Sequence, residues 1–176
     1  MRLSSGITWK NLLTLTLAVT GATLLIANAP AVDEADFPMP TGKTYVNECG
    51  SCHTAYAPGL LPARSWRKMM RALADHFGED ASLSEPQQLE IIKALEILAA
   101  DGSQATMRMR RINAAIPANT EPQRISEIGY FRFMHDEVLP SIWKRKQIGT
   151  LANCIACHPG ANAGRYGERE IRIPPR

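Results

Sequence analysis

The chain's four cysteines are Cys49 and Cys52, then Cys154 and Cys157, and both C-x-x-C pairs are followed at once by a histidine, His53 and His158. C-x-x-C-H is the spacing of c-type haem attachment. Two cysteines three apart on a tight turn offer both sulfurs to the vinyl groups along one porphyrin edge. The next residue then aims its imidazole at the iron, a standard axial ligation. The expected cofactors are two covalently attached haem c groups. Other uses of the thiols fit less well. A redox disulfide expects a βαβ context. One Cys₄ zinc site or two disulfides would use every cysteine, but neither explains the histidine after each pair.

Each iron has a second axial position, and of four histidines two remain, His76 and His135. A lone histidine on an apolar helix face is ordinarily a core residue. Here two irons need two ligands and two histidines are left, so both are candidate ligands. His53 to His76 spans 23 residues, as does His135 to His158. Pairing within each stretch closes a modest loop, a weak entropic preference; the crossed pairing, His53 with His135 and His158 with His76, stays open. Met69, Met70 and Met134 flank the same faces and compete as ligands, although methionine there also serves as core filling. Irons with nitrogen on both sides leave no position for a substrate. The expectation is therefore an electron-transfer protein and not an enzyme. The alternative is a haem enzyme or ligand sensor with one open iron position, peroxidase-like in character.

The elements that must position these groups read as helices with substantial loops. Thr41 is placed to cap a short helix through Tyr45 and Val46 into Cys49. Residues 54–62 form an apolar loop punctuated by Pro58, Gly59 and Pro62. Trp66, Met69, Met70, Leu73 and Phe77 recur at helical spacing over 63–77, with Gly78 as C-cap. Ser84 and Gln87 make a capping box with Pro86 in the first turn. The helix they start runs to about Ala100, with Leu89, Ile92, Leu95 and Leu98 or Ala99 inward. Residues 103–122 are ambiguous between helix and loop. A helix over 123–139 would place Ile128, Phe131, Met134, His135 and Val138 on one side until Pro140 interrupts it. Another would run from Ser141 through Ile148, Leu151 and Ile155 into the second motif. The tail from Pro159 is irregular, with 171–173 a short extended piece. Trp66 and Tyr56 are expected on a haem edge. Arg64, Arg67 and Arg71 are candidates for propionates or a solvated face, and Arg108, Arg110 and Arg111 for a docking patch.

The fold class is thus all-α, a mainly helical two-haem c-type cytochrome of two small lobes. Residues 1–31 carry Arg2 and Lys10 ahead of an uncharged apolar run from Leu12 to Ala29, the pattern of a cleaved signal peptide. The run also approaches bilayer-spanning length, so a retained anchor is the alternative. Pro30 hinders cleavage after Ala29; cleavage after Ala31 avoids it. Residues 32–40 read as a solvated leader, 41–102 as the first haem lobe, 103–122 as a connecting segment and 123–176 as the second lobe with its tail. The chain has 176 residues and a formal charge of +3, and removing the first 31 leaves 18 basic against 17 acidic residues. That balance excludes the basic footprint of a nucleic-acid binder.

Beyond the motifs, Cys49 to Leu83 resembles the bacterial dihaem cytochrome c family. It has Ala55, Tyr56, Pro58, Leu60, Leu61 and Pro62 in an A-Y-x-P-x-L-L-P segment, then Ser65-Trp66 and His76-Phe77-Gly78-Glu79. Arg124 to Glu127 and His135 to Glu137 are similar to the family's second half. Where many members have two prolines after the tyrosine, this chain has Ala57-Pro58. The resemblance, over roughly 45–160, implies a periplasmic helical electron carrier. It also implies as partners a membrane cytochrome b-type donor and a small soluble cytochrome acceptor.

Overall fold

The computed structural model describes residues 36–176. The export segment read at 1–31 and the first part of the leader lie outside the described residues. These residues contain six α-helices joined by 3₁₀ turns and loops: α1 Lys43–Cys49, α2 Ala63–Arg71, α3 Glu85–Leu98, α4 Met107–Ala114, α5 Gly129–Met134 and α6 Pro140–Trp143. Among them there is no β-strand, only an isolated bridge between His76 and Glu79. None of their helices is long and apolar enough to cross a membrane.

The core is built where α2 packs on α3 and the 54–62 loop is folded between them and α4. Trp66, Met70, Ile91, Leu95, Met109 and Ile112 are all buried here. The loop is buried because its apolar content demands it: Ala57 and Leu61 are fully covered, and Leu60 nearly so. A 3₁₀ turn at Pro58–Leu60 and a 2.7 Å bond from Trp66 Nε1 to the Pro58 carbonyl satisfy its polar groups. Gly59 is required by close approach, since a Cβ there would sit 2.7 Å from the Met109 side chain. The ambiguous segment resolves as α4, with Met109 and Ile112 on its inner face.

α3 begins at the expected capping box, where Gln87 Oε1 accepts from the Ser84 backbone N–H at 3.1 Å. Its inward face differs by one position upstream. Ile91 is buried and Leu89 is 61% exposed, with Leu95 and Leu98 inward as expected. At α1 the N-cap is Gly42, without a side-chain cap bond, and not Thr41. α2 stops at Arg71 and not at Phe77, because the Leu73 carbonyl accepts from the Ala81 N–H at 2.9 Å across a tight turn.

The second half holds shorter elements than its periodicity predicts. The helix over 123–139 shrinks to α5, preceded by a 3₁₀ turn at Ile125–Glu127. Pro140 does not merely interrupt: it opens α6, where its missing N–H costs nothing. α6 ends after one turn, so Ile148 is buried but Leu151 and Ile155 are exposed. The leader is not solvated in its described part. Phe37 is 2% exposed, its N–H donates to Gly164 O at 3.0 Å, and its ring meets Tyr166 edge-on at 5.4 Å.

Candidate functional site

The first motif sits at the end of α1, with Cys49 in its last turn and Cys52 and His53 in the exposed turn that follows. The His53 ring stacks on Tyr56, centroids 4.9 Å apart and planes 23° apart. Its Nδ1 lies 2.7 Å from the Thr54 carbonyl. A carbonyl only accepts, so in a neutral imidazole Nδ1 carries the proton and Nε2 keeps the free lone pair. His76 comes not from a helix but from the turn beyond α2. There Phe77 and Gly78 both have positive φ (57° and 100°), and His76 and Glu79 exchange both backbone bonds at 2.8 and 3.3 Å. A left-handed phenylalanine is strained. Asp75 Oδ1 accepts from the Gly78 N–H at 3.1 Å, and the Arg124 guanidinium covers the Phe77 ring at 4.1 Å. That turn brings the His76 ring to 6.2 Å from His53, planes 25° apart. Burial, with His53 beside it, lowers the His76 pKa.

The second motif is a 3₁₀ turn, Cys154–Ala156. The His158 N–H donates back to Cys154 O at 2.8 Å, and Asn153 Nδ2 ties the turn to Ile148 O at 3.0 Å. His135 follows α5. Its ring stacks on Phe131 at 4.1 Å and 25°, and its Nδ1 is 2.8 Å from the Phe131 carbonyl. The His135 and His158 rings are 6.1 Å apart but nearly perpendicular, at 84°. Burial, then His135, lowers the His158 pKa, with Asp36 opposing.

The structure therefore brings together the local pairs, His53 with His76 and His135 with His158. Tyr56 joins the two regions: its hydroxyl donates to Ala152 O at 2.8 Å, two residues before Cys154. Trp66, expected at a haem edge, is instead 4% exposed within the main core. Two of the three arginines of α2, Arg64 and Arg67, have structural partners. Arg64 donates to Thr120 O at 2.7 Å and Pro117 O at 3.2 Å, and Arg67 pairs with Glu96 at 2.9 Å. Arg108 lies 3.5 Å from Asp36. Sequence reasoning missed Tyr166, Trp143 and Asp36 beside the second pair. Two lie in segments without periodicity and the third in a one-turn helix, so no pattern marks them.

All four cysteines are free. Burial pushes Cys49 and Cys154 up to about 11 and raises Cys157 as well. Among the described residues no group of three or more His, Cys, Asp or Glu converges as a metal site. A neutral thioether suits these apolar surroundings. A cavity of about 720 Å³ lies beside the second pair, lined by Phe131, His135, Trp143, Cys154, Cys157 and His158 among others. Cofactor pockets run about 300–1,000 Å³. At its wall His158 Nδ1 and Tyr166 Oη are buried without a hydrogen-bond partner. A second opening, about 350 Å³, lies beside His53, with Ile155 of the second motif on its wall. The residues present fit a haem at each motif.

Comparison with known proteins agrees. Residues 45–166 match the family model described as dihaem cytochrome c. The chain is similar to the solved dihaem cytochrome c from Rhodobacter sphaeroides, with 40% identity over 73% of this chain and 99% of that one and a TM-score of 0.65. It is also similar to a dihaem cytochrome type c from Shewanella baltica OS155, with 31% identity over 77% and 95% and a TM-score of 0.61. A search of curated proteins finds no match. Motifs, helical fold and these likenesses converge: the chain belongs to the dihaem cytochrome c family and carries two covalently bound c-type haems.

Proposed function

We propose that the protein is an exported carrier of single electrons, both of whose irons are held between two histidines. Cys49 and Cys52 tether the first haem, with His53 and His76 as axial ligands. Cys154 and Cys157 tether the second, with His158 and His135. The ring spacing carries this reading. An imidazole nitrogen lies about 2 Å from a metal it binds and roughly 1 Å from its own ring centre, so two imidazoles across one metal have centres about 6 Å apart. The two pairs stand at 6.2 and 6.1 Å.

A bound haem iron supplies one-electron exchange between its ferric and ferrous states. The chain's own contribution is to hold the ligands. Backbone carbonyls fix the protons of His53 and His135 on Nδ1, which leaves Nε2 as donor and raises its basicity. With two ligands at each iron, no substrate position remains. The family resemblance supports a membrane cytochrome b-type donor, a small soluble cytochrome acceptor and a periplasmic setting reached by the 1–31 segment, as a cleaved signal or a retained tether. Single replacements His76→Met and His135→Met test the ligands: each should change the absorption of one haem and leave the other as it was. A variant in which neither haem's spectrum changes removes that histidine from the ligand set.

A further inference from the structure

The two histidine pairs share a spacing but not an angle, and the neighbours of each ring explain why. In each pair one imidazole is doubly held, by a stacked aromatic and by a backbone carbonyl at Nδ1. For His53 these are Tyr56, at 4.9 Å and 23°, and Thr54 O at 2.7 Å. For His135 they are Phe131, at 4.1 Å and 25°, and Phe131 O at 2.8 Å. The other imidazole has only tilted neighbours: Phe77 at 60° for His76, and Tyr166 at 52° for His158, whose Nδ1 has no partner. The held ring follows the first cysteine pair but lies remote from the second.

Resting on the two-histidine reading above, we propose that Tyr56 and Phe131 are positioning residues that set the plane of one axial imidazole each. They hold the ligand rings near-coplanar at the first haem and crossed at the second. The structure gives those interplanar angles as 25° and 84°. Tyr56 is itself fixed at two points, its hydroxyl on Ala152 O at 2.8 Å and its carbonyl accepting from the Tyr45 hydroxyl. Trp143 flanks the stacked pair, 6.5 Å from Phe131 and 5.8 Å from His135. The consequence is electronic. Coplanar imidazoles donate into one of the two iron orbitals of π symmetry and split the pair. Crossed imidazoles donate one into each and leave them close in energy. The two ferric irons then differ in magnetic anisotropy although their ligands are chemically the same.

Electron paramagnetic resonance of the fully oxidised, fully loaded protein reads this directly. The expected spectrum holds two low-spin signals, one rhombic with all features resolved and one strongly anisotropic with a lone low-field feature. Tyr56→Leu should shift the rhombic signal alone, and Phe131→Leu the anisotropic one alone. Phe131→Tyr keeps the stacked ring and should leave both signals in place, which separates ring positioning from a general loss of packing. Two matching rhombic signals in the unaltered protein would overturn the proposal, as would a leucine variant that leaves its signal unmoved. A high-spin signal in the unaltered protein would instead defeat the ligand assignment itself.

Discussion

The two haem-binding regions are held together by different means. Around the first motif the chain packs against itself. The contiguous core draws on residues from Phe37 to Ile128, and no fully buried member comes from beyond. From residue 129 onward the buried apolar residues are Ile148 and Ala161 alone, while Phe133, Met134, Leu139, Leu151, Ile155 and Ile173 are all more than 40% exposed. The larger of the two cavities, about 720 against 350 Å³, lies between the second region and core residues such as Phe37, Leu60 and Ile112. The second region's helices are four and six residues long, too short to be stable without a partner surface. The lesson is that the same C-x-x-C-H chemistry can decorate a core or replace one. On that contrast the first haem is expected to add to a protein fold, and the second to supply much of the apolar body its region folds around.

That difference can be broken most forcefully at the cysteines. Replacing Cys154 and Cys157 together by alanine should remove one haem and loosen residues 129–176, which limited proteolysis will show as rapid cleavage there. Replacing Cys49 and Cys52 should also remove one haem but leave α2, α3 and α4 protected. Equal protease sensitivity of the two variants would erase the contrast. The reverse case is Trp66→Ala. It empties a buried core position and removes the 2.7 Å bond from Trp66 Nε1 to the Pro58 carbonyl, with an expected loss of roughly 3–5 kcal/mol in denaturant unfolding and unfolding of the first region while the second haem stays attached.

Gly164 sharpens the contrast from the other side. Its φ is +69° and a Cβ there would collide with the Phe37 carbonyl oxygen, so Gly164→Ala should cost about 2 kcal/mol. Hydrogen exchange should place that loosening at 36–40 and 164–166, beside the second site. The smallest effect is at the α3 capping box, where Ser84→Ala should cost about 1 kcal/mol, read as a lower Tm without change in either haem spectrum.

How much of this was legible follows the same division. Where residues pack in long helical repeats the sequence is informative, as with the Ser84–Gln87 cap and the inward Leu95 and Leu98. Where the chain is shaped by turns it is not. Phe77 fits a helical stripe, yet it adopts a left-handed conformation and turns 48% of its surface outward, because a turn and not a helix delivers His76. Leu151 and Ile155 keep helical spacing with no helix beneath them, since apolar periodicity there answers to a cofactor surface and not to a neighbouring helix. The histidine inventory and the equal 23-residue intervals favour the pairs that the structure brings within 6.2 Å. The 25° and 84° planes leave no trace in the sequence, because they depend on Tyr56 and Phe131 stacking across the fold.

The central claim, that two side chains close each iron and leave it no open position, is tested most directly by exposing the reduced, two-haem protein to carbon monoxide. The account predicts an absorption spectrum that does not change, because His53 with His76 and His135 with His158 leave neither iron an open position. A carbon monoxide complex forming at either haem would contradict it.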